Sequence, residues 1–150
     1  MNVDGATSVD GRNSNARVVI RDSCGAVIAA CCKYFQGHFS VAKVEALAVE
    51  CGILLARDMK ISQVIIESDA ACIVSHINDK LVDGFLGHLY QGITAFLNSF
   101  SSWRIKHVKR EYNIVAHELA QIARGSEANH VWVGAPPPAL CELIKVDCIG

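Results

Sequence analysis

Two kinds of hydrophobic periodicity divide the chain into an opening β region and a later region where strands and helices alternate. Short apolar and β-branched runs predict strands over residues 2–6, 16–21 and 26–33, with a tight turn at 22–25. Residues 7–15 are rich in Ser, Asn, Asp and Gly, a composition that favours turns. Together these features predict an antiparallel three-stranded meander.

Beyond this region, apolar residues recur with helical spacing, and the helical segments are separated by strand-like runs. Val44, Ala48, Cys51 and Leu55 form one stripe of a helix over 40–59, for which Ser40 is a suitable N-cap. The further predicted elements are a strand at 63–67, helices at 70–76 and 85–100, a strand at 103–108 and a helix at 113–124. The order β-β-β-α-β-α-α-β-α predicts an α/β fold with one mixed sheet flanked by helices.

The composition is that of a single packed domain. Apolar residues make up 51% of the 150-residue chain and charged residues 19%, which excludes a wholly disordered regulator. We expect a domain over residues 1–125 and a Pro-containing tail over 126–150. The net charge of −1 excludes a global positive field, so any binding of nucleic acid needs a local basic patch.

The seven cysteines do not form a recognisable disulfide or zinc pattern. Their number is odd, no C-x-x-C pair occurs, and most lie in apolar runs, so reduced core thiols are expected. The N-terminus has no signal-peptide pattern, and the longest apolar run, 26–32, is far too short to span a bilayer. We therefore expect a soluble, intracellular and monomeric protein without a membrane partner.

Three acidic residues occupy unusual local settings. Asp4 ends the first predicted strand, directly before Gly5, and Asp69 follows the strand at 63–67, at an edge where α/β sheets often place their sites. Glu45 has only apolar residues three and four positions away on its helix, and an unpaired buried carboxylate is costly. The alternatives are a turn residue for Asp4, a helix N-cap for Asp69, and a glutamate at the edge of the apolar stripe.

If these three carboxylates converge, their mutual repulsion raises their pKa values unless a cation neutralises them. Clusters of oxygen ligands suit Mg²⁺ or Mn²⁺, which borrow further ligands from water and phosphate. Such a site is suited to two-metal hydrolysis of a phosphodiester.

A basic run and a single histidine are the other candidate features. Residues 104–110 carry Arg104, Lys106, Lys109 and Arg110, which could contact a phosphate backbone or could simply form a solvated outer strand face. His117 lies on the polar side of the last predicted helix, where a surface histidine is the default interpretation. It is not part of an H-E-x-x-H zinc motif, because the second histidine is absent.

The motifs together resemble the ribonuclease H family, in the retroelement-derived version abundant in plants. The resemblance covers about residues 2–125, in the expected order and spacing. Its five motifs are Asn2-Val3-Asp4-Gly5-Ala6, Val19-Ile20-Arg21-Asp22-Ser23 with Gly25, Glu45-Ala46-Leu47-Ala48, Ile66-Glu67-Ser68-Asp69, and His107 to Asn113 running into Ala116-His117-Glu118-Leu119-Ala120.

The resemblance implies a five-stranded mixed sheet in the order 3-2-1-4-5, with the acids beside the central strand. It implies that Asp4, Glu45 and Asp69 bind two Mg²⁺ or Mn²⁺ ions with substrate and, together with His117, are catalytic. The implied activity is endonucleolytic cleavage of the RNA strand of an RNA–DNA hybrid, which is distinguished through its 2′-hydroxyls. The implied nucleic-acid contacts are Ser40, Lys106, Lys109, Arg110 and Asn113.

The chain also departs from the family's pattern. His117 stands where active members usually carry a fourth acid, and imidazole is a poor Mg²⁺ ligand. Asn15-Ala16-Arg17 replaces the small glycines that usually open the second strand, and 76–85 leaves no room for the basic protrusion that some members use. From the resemblance we also expect that strand residues usually present upstream of Asn2 are missing. The alternative hypotheses are therefore a weak or inactive remnant that binds nucleic acid or protein without cutting, and a structural or interaction module in which the acids are only caps and turns.

Overall fold

The computed structural model describes residues 1–113 and 129–134. These residues form one six-stranded sheet with three helices. The strands are β1 (Asn2–Thr7), β2 (Asn13–Arg21), β3 (Val27–Gln36), β4 (Gln63–Ser68), β5 (Ser102–His107) and β6 (His130–Val133). The helices are α1 (Val41–Asp58), α2 (Ala71–Asn78) and α3 (Gly87–Leu97), and a single 3₁₀ turn follows β5 at Arg110–Tyr112.

The sheet has the order β5-β4-β1-β2-β3-β6. Strands β1, β2 and β3 pair antiparallel, whereas β4 lies parallel to both β1 and β5. The mixed α/β sheet and the predicted order of its first five strands are therefore confirmed. Strand β1 lies in the middle of the sheet, with the meander on one side and the parallel strands on the other.

Strand β6 is not among the predicted elements and lies within residues 126–150, the segment predicted to be a tail. It pairs antiparallel with β3, from Ala29 opposite Val133 to Cys32 opposite His130. The side chain of Asn129 also accepts a hydrogen bond of 2.8 Å from the backbone N–H of Tyr34. Residues 130–133 thus extend the sheet, while a domain boundary at residue 125 stays a prediction.

The first turn is shorter than its composition indicated. β1 continues to Thr7 and β2 begins at Asn13, so the predicted turn over 7–15 is wrong at both ends. Within the actual turn, Asp10 accepts hydrogen bonds from the hydroxyl of Ser8 and the N–H of Arg12, and Gly11 has a φ of +71°. Pairing with β1 and β3 keeps polar Ser14 in the strand despite its local preference for turns.

Helix α1 begins where its sequence predicted. Ser40 caps it by accepting a hydrogen bond of 3.2 Å from the N–H of Lys43. The predicted inward residues Val44, Ala48 and Cys51 are buried, and further positions, including Ile53, are buried as well. The buried surface is wider than one stripe because α1 packs against β1, β2 and α3 together.

The other helical predictions differ from the structure mainly at their ends. α2 extends two residues beyond His76, whereas α3 is shorter than the predicted 85–100 and leaves Phe85 exposed. The last predicted helix, 113–124, lies outside the described residues except for Asn113. Among the described cysteines, Cys31, Cys32 and Cys51 are buried free thiols and Cys24 and Cys72 are exposed free thiols. No helix in the described part of the chain is long and apolar enough to cross a membrane.

Candidate metal centre

Asp4 lies inside the central strand and not in a turn. Its Cα is paired with that of Arg17 on β2, and β1 continues for three residues beyond it. The residue is only 8% exposed. The interpretation of Asp4 as a turn residue before Gly5 is therefore wrong, because both residues belong to the antiparallel ladder.

Asp69 directly follows β4 and reaches the centre of the sheet through the parallel pairing of β1 and β4. Val3 is paired with Ser68. The residues that follow them, Asp4 and Asp69, therefore lie next to each other at the carboxyl end of β4. The N-cap of α2 is Ala70, with no side-chain capping bond, and the Ala70 N–H instead donates to the Ser68 hydroxyl at 3.1 Å. The alternative of Asp69 as a helix N-cap is thus also wrong.

Glu45 is brought to the same place by a close approach of α1 to β1. One of its carboxylate oxygens, Oε2, accepts a hydrogen bond of 3.0 Å from the backbone N–H of Gly5. A Cβ atom at position 5 would lie 2.8 Å from the backbone C and O atoms of Val44, a distance that real Cβ contacts essentially never show. Glycine at position 5 therefore allows the helix to lie where Glu45 can reach β1.

We expect Gly5→Ala to lower the free energy of unfolding by about 1–3 kcal/mol, because the added methyl group forces α1 away from β1. Urea unfolding followed by circular dichroism measures the change. Gly92→Ala on α3 is the matched control, since an added Cβ there meets no atom within 4 Å. Equal stability of the two variants would contradict the proposed role of the close approach.

The three carboxylates form one cluster. Asp4, Glu45 and Asp69 each offer an oxygen, and these three oxygens lie within 4.8 Å of one another. Burial, followed by the charges of Asp4 and Asp69, raises the pKa of Glu45 from 4.5 to about 8, although the Gly5 N–H and the charge of Arg17 oppose this shift. The structure thus brings together the three acids that the sequence analysis selected.

This cluster fits a hard divalent cation. All three side chains offer oxygen, the ligand atom that Mg²⁺ and Mn²⁺ prefer. The raised pKa means that Glu45 holds a proton near neutral pH. A bound cation would stabilise the ionised carboxylate and so lower this pKa. Asp4 lies on β1, Glu45 lies on α1 and Asp69 directly follows β4, so each ligand is on or next to a regular element.

Arg17 is a member of the site that the sequence analysis missed. Its Nη1 atom lies 3.1 Å from Oδ2 of Asp4, and both side chains are buried. In the sequence, Arg17 stands out only as one of three residues that replace small glycines at the start of the second strand. The signal that could have found it is the cross-strand register, which places Arg17 directly opposite Asp4.

The C-terminal part of the basic run, from His107 to Arg110, lies at the carboxyl ends of β4 and β5, as Asp69 does. β4 and β5 are parallel, Ser68 is paired with His107, and the N–H of Val108 donates to the Ser68 carbonyl at 2.9 Å. Lys109 and Arg110, which follow directly, are exposed, as is the earlier Lys106. Lys106 lies 4.0 Å from Glu67, an exposed ion pair that contributes little stability.

The remaining predicted site residues have different surroundings. Ser40 is exposed at the start of α1. Asn113 is buried, its Nδ2 donating to the Val3 carbonyl at 3.0 Å and its Oδ1 accepting from the Asn2 side chain at 3.0 Å. It thus ties the segment after β5 to the strand that carries Asp4. His117 lies outside the described residues.

A family model described as "Reverse transcriptase-like" matches residues 2–123. The full chain is 29% identical to a protein of Arabidopsis thaliana named "Putative ribonuclease H protein". The chain spans 24% of the length of that relative.

Solved structures with the same fold include the ribonuclease H1 of the halophilic archaeon Halobacterium salinarum, with a TM-score of 0.75 and 20% identity over 83% of this chain and 95% of that one. Another is LC11-RNase H1 in complex with an RNA/DNA hybrid, with a TM-score of 0.69 and 20% identity over 79% of this chain and 90% of that one. At these identities the likeness shows a shared fold.

Proposed function

The chain belongs to the reverse transcriptase-like family and is an RNase H-like domain, and on that premise we propose that it hydrolyses the RNA strand of RNA–DNA hybrids in a metal-dependent reaction. The observation that carries this proposal is the convergence of Asp4, Glu45 and Asp69, whose oxygens lie within 4.8 Å of one another. Three separate elements deliver these side chains, so the cluster does not follow from a local sequence motif alone. The solved relative with a bound hybrid supports the choice of substrate class.

In the proposed reaction the three acids are the metal ligands. Bound divalent ions would supply an activated water and stabilise the leaving oxygen. The carboxylates of Asp4 and Asp69 hold the cation site from the strand side, and Glu45 completes it from the helix side, oriented by the Gly5 N–H. The phosphorus is attacked by water and its bond to the 3′ oxygen breaks, leaving a 3′-hydroxyl and a 5′-phosphate.

Substrate binding is assigned to the residues around this centre. The exposed cations Lys106, Lys109 and Arg110 would contact phosphates of the hybrid, an interaction that weakens as salt rises. Ser40 and Asn113 are the further proposed contacts. Because Asn113 is buried between Asn2 and Val3, we propose that it acts by positioning the basic segment. We propose that His117 relays protons or assists product release.

A labelled RNA–DNA hybrid tests the proposed activity. We expect RNA fragments with 3′-hydroxyl and 5′-phosphate ends in the presence of Mg²⁺ or Mn²⁺, and none in the presence of a chelator. Duplex DNA and duplex RNA of the same sequence are the control substrates and should stay intact. Cutting that is independent of metal, or equal on all three duplexes, would overturn the proposal.

One observation favours a second candidate, a domain that binds hybrids without cutting them. The ion pair between Arg17 and Asp4 places a positive charge against one of the proposed metal ligands, at 3.1 Å. Hybrid binding by fluorescence anisotropy without cleavage in either metal would support this second function. Both candidates bind the hybrid through the exposed cations Lys106, Lys109 and Arg110. They differ in whether the acid cluster binds metal.

A further inference from the structure

The buried Arg17 side chain is unusual for its place in the sheet. Arg17 is 5% exposed and lies on β2, whose residues on both sides, Ala16 and Val18, are fully buried. Removing a guanidinium from water is costly unless its charge is compensated. Here Oδ2 of Asp4 is 3.1 Å from Nη1, so the acid cluster supplies that compensation.

The charge of Arg17 acts on two of the three acids in the cluster. Besides the direct pair with Asp4, its positive charge acts on Glu45, where it opposes the effect of burial. The cluster therefore consists of three acidic side chains and one cationic side chain, the Arg17 guanidinium. A divalent ion that enters it meets repulsion from the guanidinium and a carboxylate already engaged by a hydrogen bond.

We infer that Arg17 is a built-in counter-ion of the acid cluster, which competes with divalent ions for Asp4 and lowers the metal affinity of the site. The inference rests on the proposed function, since it takes the three acids as the metal ligands. It assigns Arg17 a regulating role, as a residue that acts through Asp4 and sets how much free Mg²⁺ the domain needs.

The test compares metal affinity among position-17 variants of the full chain, by calorimetric titration with MgCl₂ and with MnCl₂. Arg17→Met keeps most of the side-chain length and removes the charge. Arg17→Gln also removes the charge but keeps a hydrogen-bond donor for Asp4, and it serves where the Met variant folds poorly. Arg17→Lys is the matched control that keeps the charge.

We expect the neutral variants to bind the metal about tenfold more tightly than the unsubstituted chain, because a full positive charge next to the ligands is removed. The Lys variant should bind with an affinity close to that of the unsubstituted chain. A second readout is thermal: metal should raise the melting temperature of the neutral variants by more than it raises that of the original chain. A purely structural role would lower melting temperature without changing metal affinity.

The possible failures are distinguishable. Folded neutral variants whose metal affinity lies within twofold of the original value would overturn the counter-ion inference and leave the proposed function standing. Equal tightening in Arg17→Lys would overturn it too, because charge would then not be the cause. If neither the original chain nor any position-17 variant binds a divalent ion, the metal site and the inference fall together.

Discussion

Asp69→Asn is expected to reduce hybrid cleavage by roughly three orders of magnitude while leaving the metal-free protein at least as stable as before. The amide keeps the shape of the side chain and replaces one of the three carboxyl groups whose oxygens lie within 4.8 Å of one another. The charge of Asp69 raises the pKa of Glu45, so its removal relieves repulsion in the folded state. Cleavage rates at saturating Mg²⁺ and urea unfolding in chelator measure the two effects.

Asp79→Asn is the matched control for this variant. Asp79 is exposed at the C-terminal end of α2, the helix that Asp69 precedes, and it undergoes the same chemical change. We expect cleavage by this control to equal that of the original chain. Cleavage that persists in Asp69→Asn would mean that the site has been assigned to the wrong residues, and equal loss in both variants would point to a general effect on α2.

The second large effect concerns pH. In chelator, we expect the folded protein to lose stability as pH rises from about 4.5 to above 8, by roughly 5 kcal/mol from Glu45 alone. The pKa of Glu45 is raised in the folded state, so the folded protein keeps a proton that the unfolded chain releases. The favourable contribution is complete below the unfolded pKa of 4.5 and is lost as pH passes through the folded pKa of about 8.

Glu45→Gln isolates this contribution. When the free energy of unfolding is plotted against pH for the variant and for the original chain, the effects of the other titrating groups cancel in the difference. Urea unfolding at several pH values gives both curves. Glu50→Gln, the same change elsewhere on α1, should leave the pH dependence in place. Saturating Mg²⁺ at pH 8 should abolish much of the loss, since a cation in the cluster stabilises the ionised Glu45. A difference curve that is flat between pH 4.5 and 8 would contradict the burial argument.

The three acids could be predicted from the sequence because each leaves a local signal. Asp69 follows a strand-like run, and Glu45 is surrounded by apolar residues at helical spacing, which indicated a partner for its carboxylate. The structure supplies that partner as a backbone N–H of a strand, Gly5. The sequence predicts Asp4 at the end of its strand, which is wrong because β1 runs on to Thr7.

Arg17 could not be predicted as a member of the site because its position depends on strand register. A shift of one residue between β1 and β2 would move the Arg17 side chain to the other face of the sheet. The register is set by the turn between Thr7 and Asn13, whose length composition alone overestimated. β6 could not be predicted for a similar reason, since its four residues pair with β3, about a hundred residues earlier in the chain.

The position of β6 in the chain has a consequence for how the protein is made. During synthesis the first five strands are made before residues 130–133, so β3 is without its partner strand β6 until those residues have been added. An uncovered strand edge offers unpaired N–H and C=O groups to neighbouring nascent chains. Pairing of β6 with β3 is thus a late event, and a chain truncated before residue 130 would lack this partner strand and is expected to self-associate more readily.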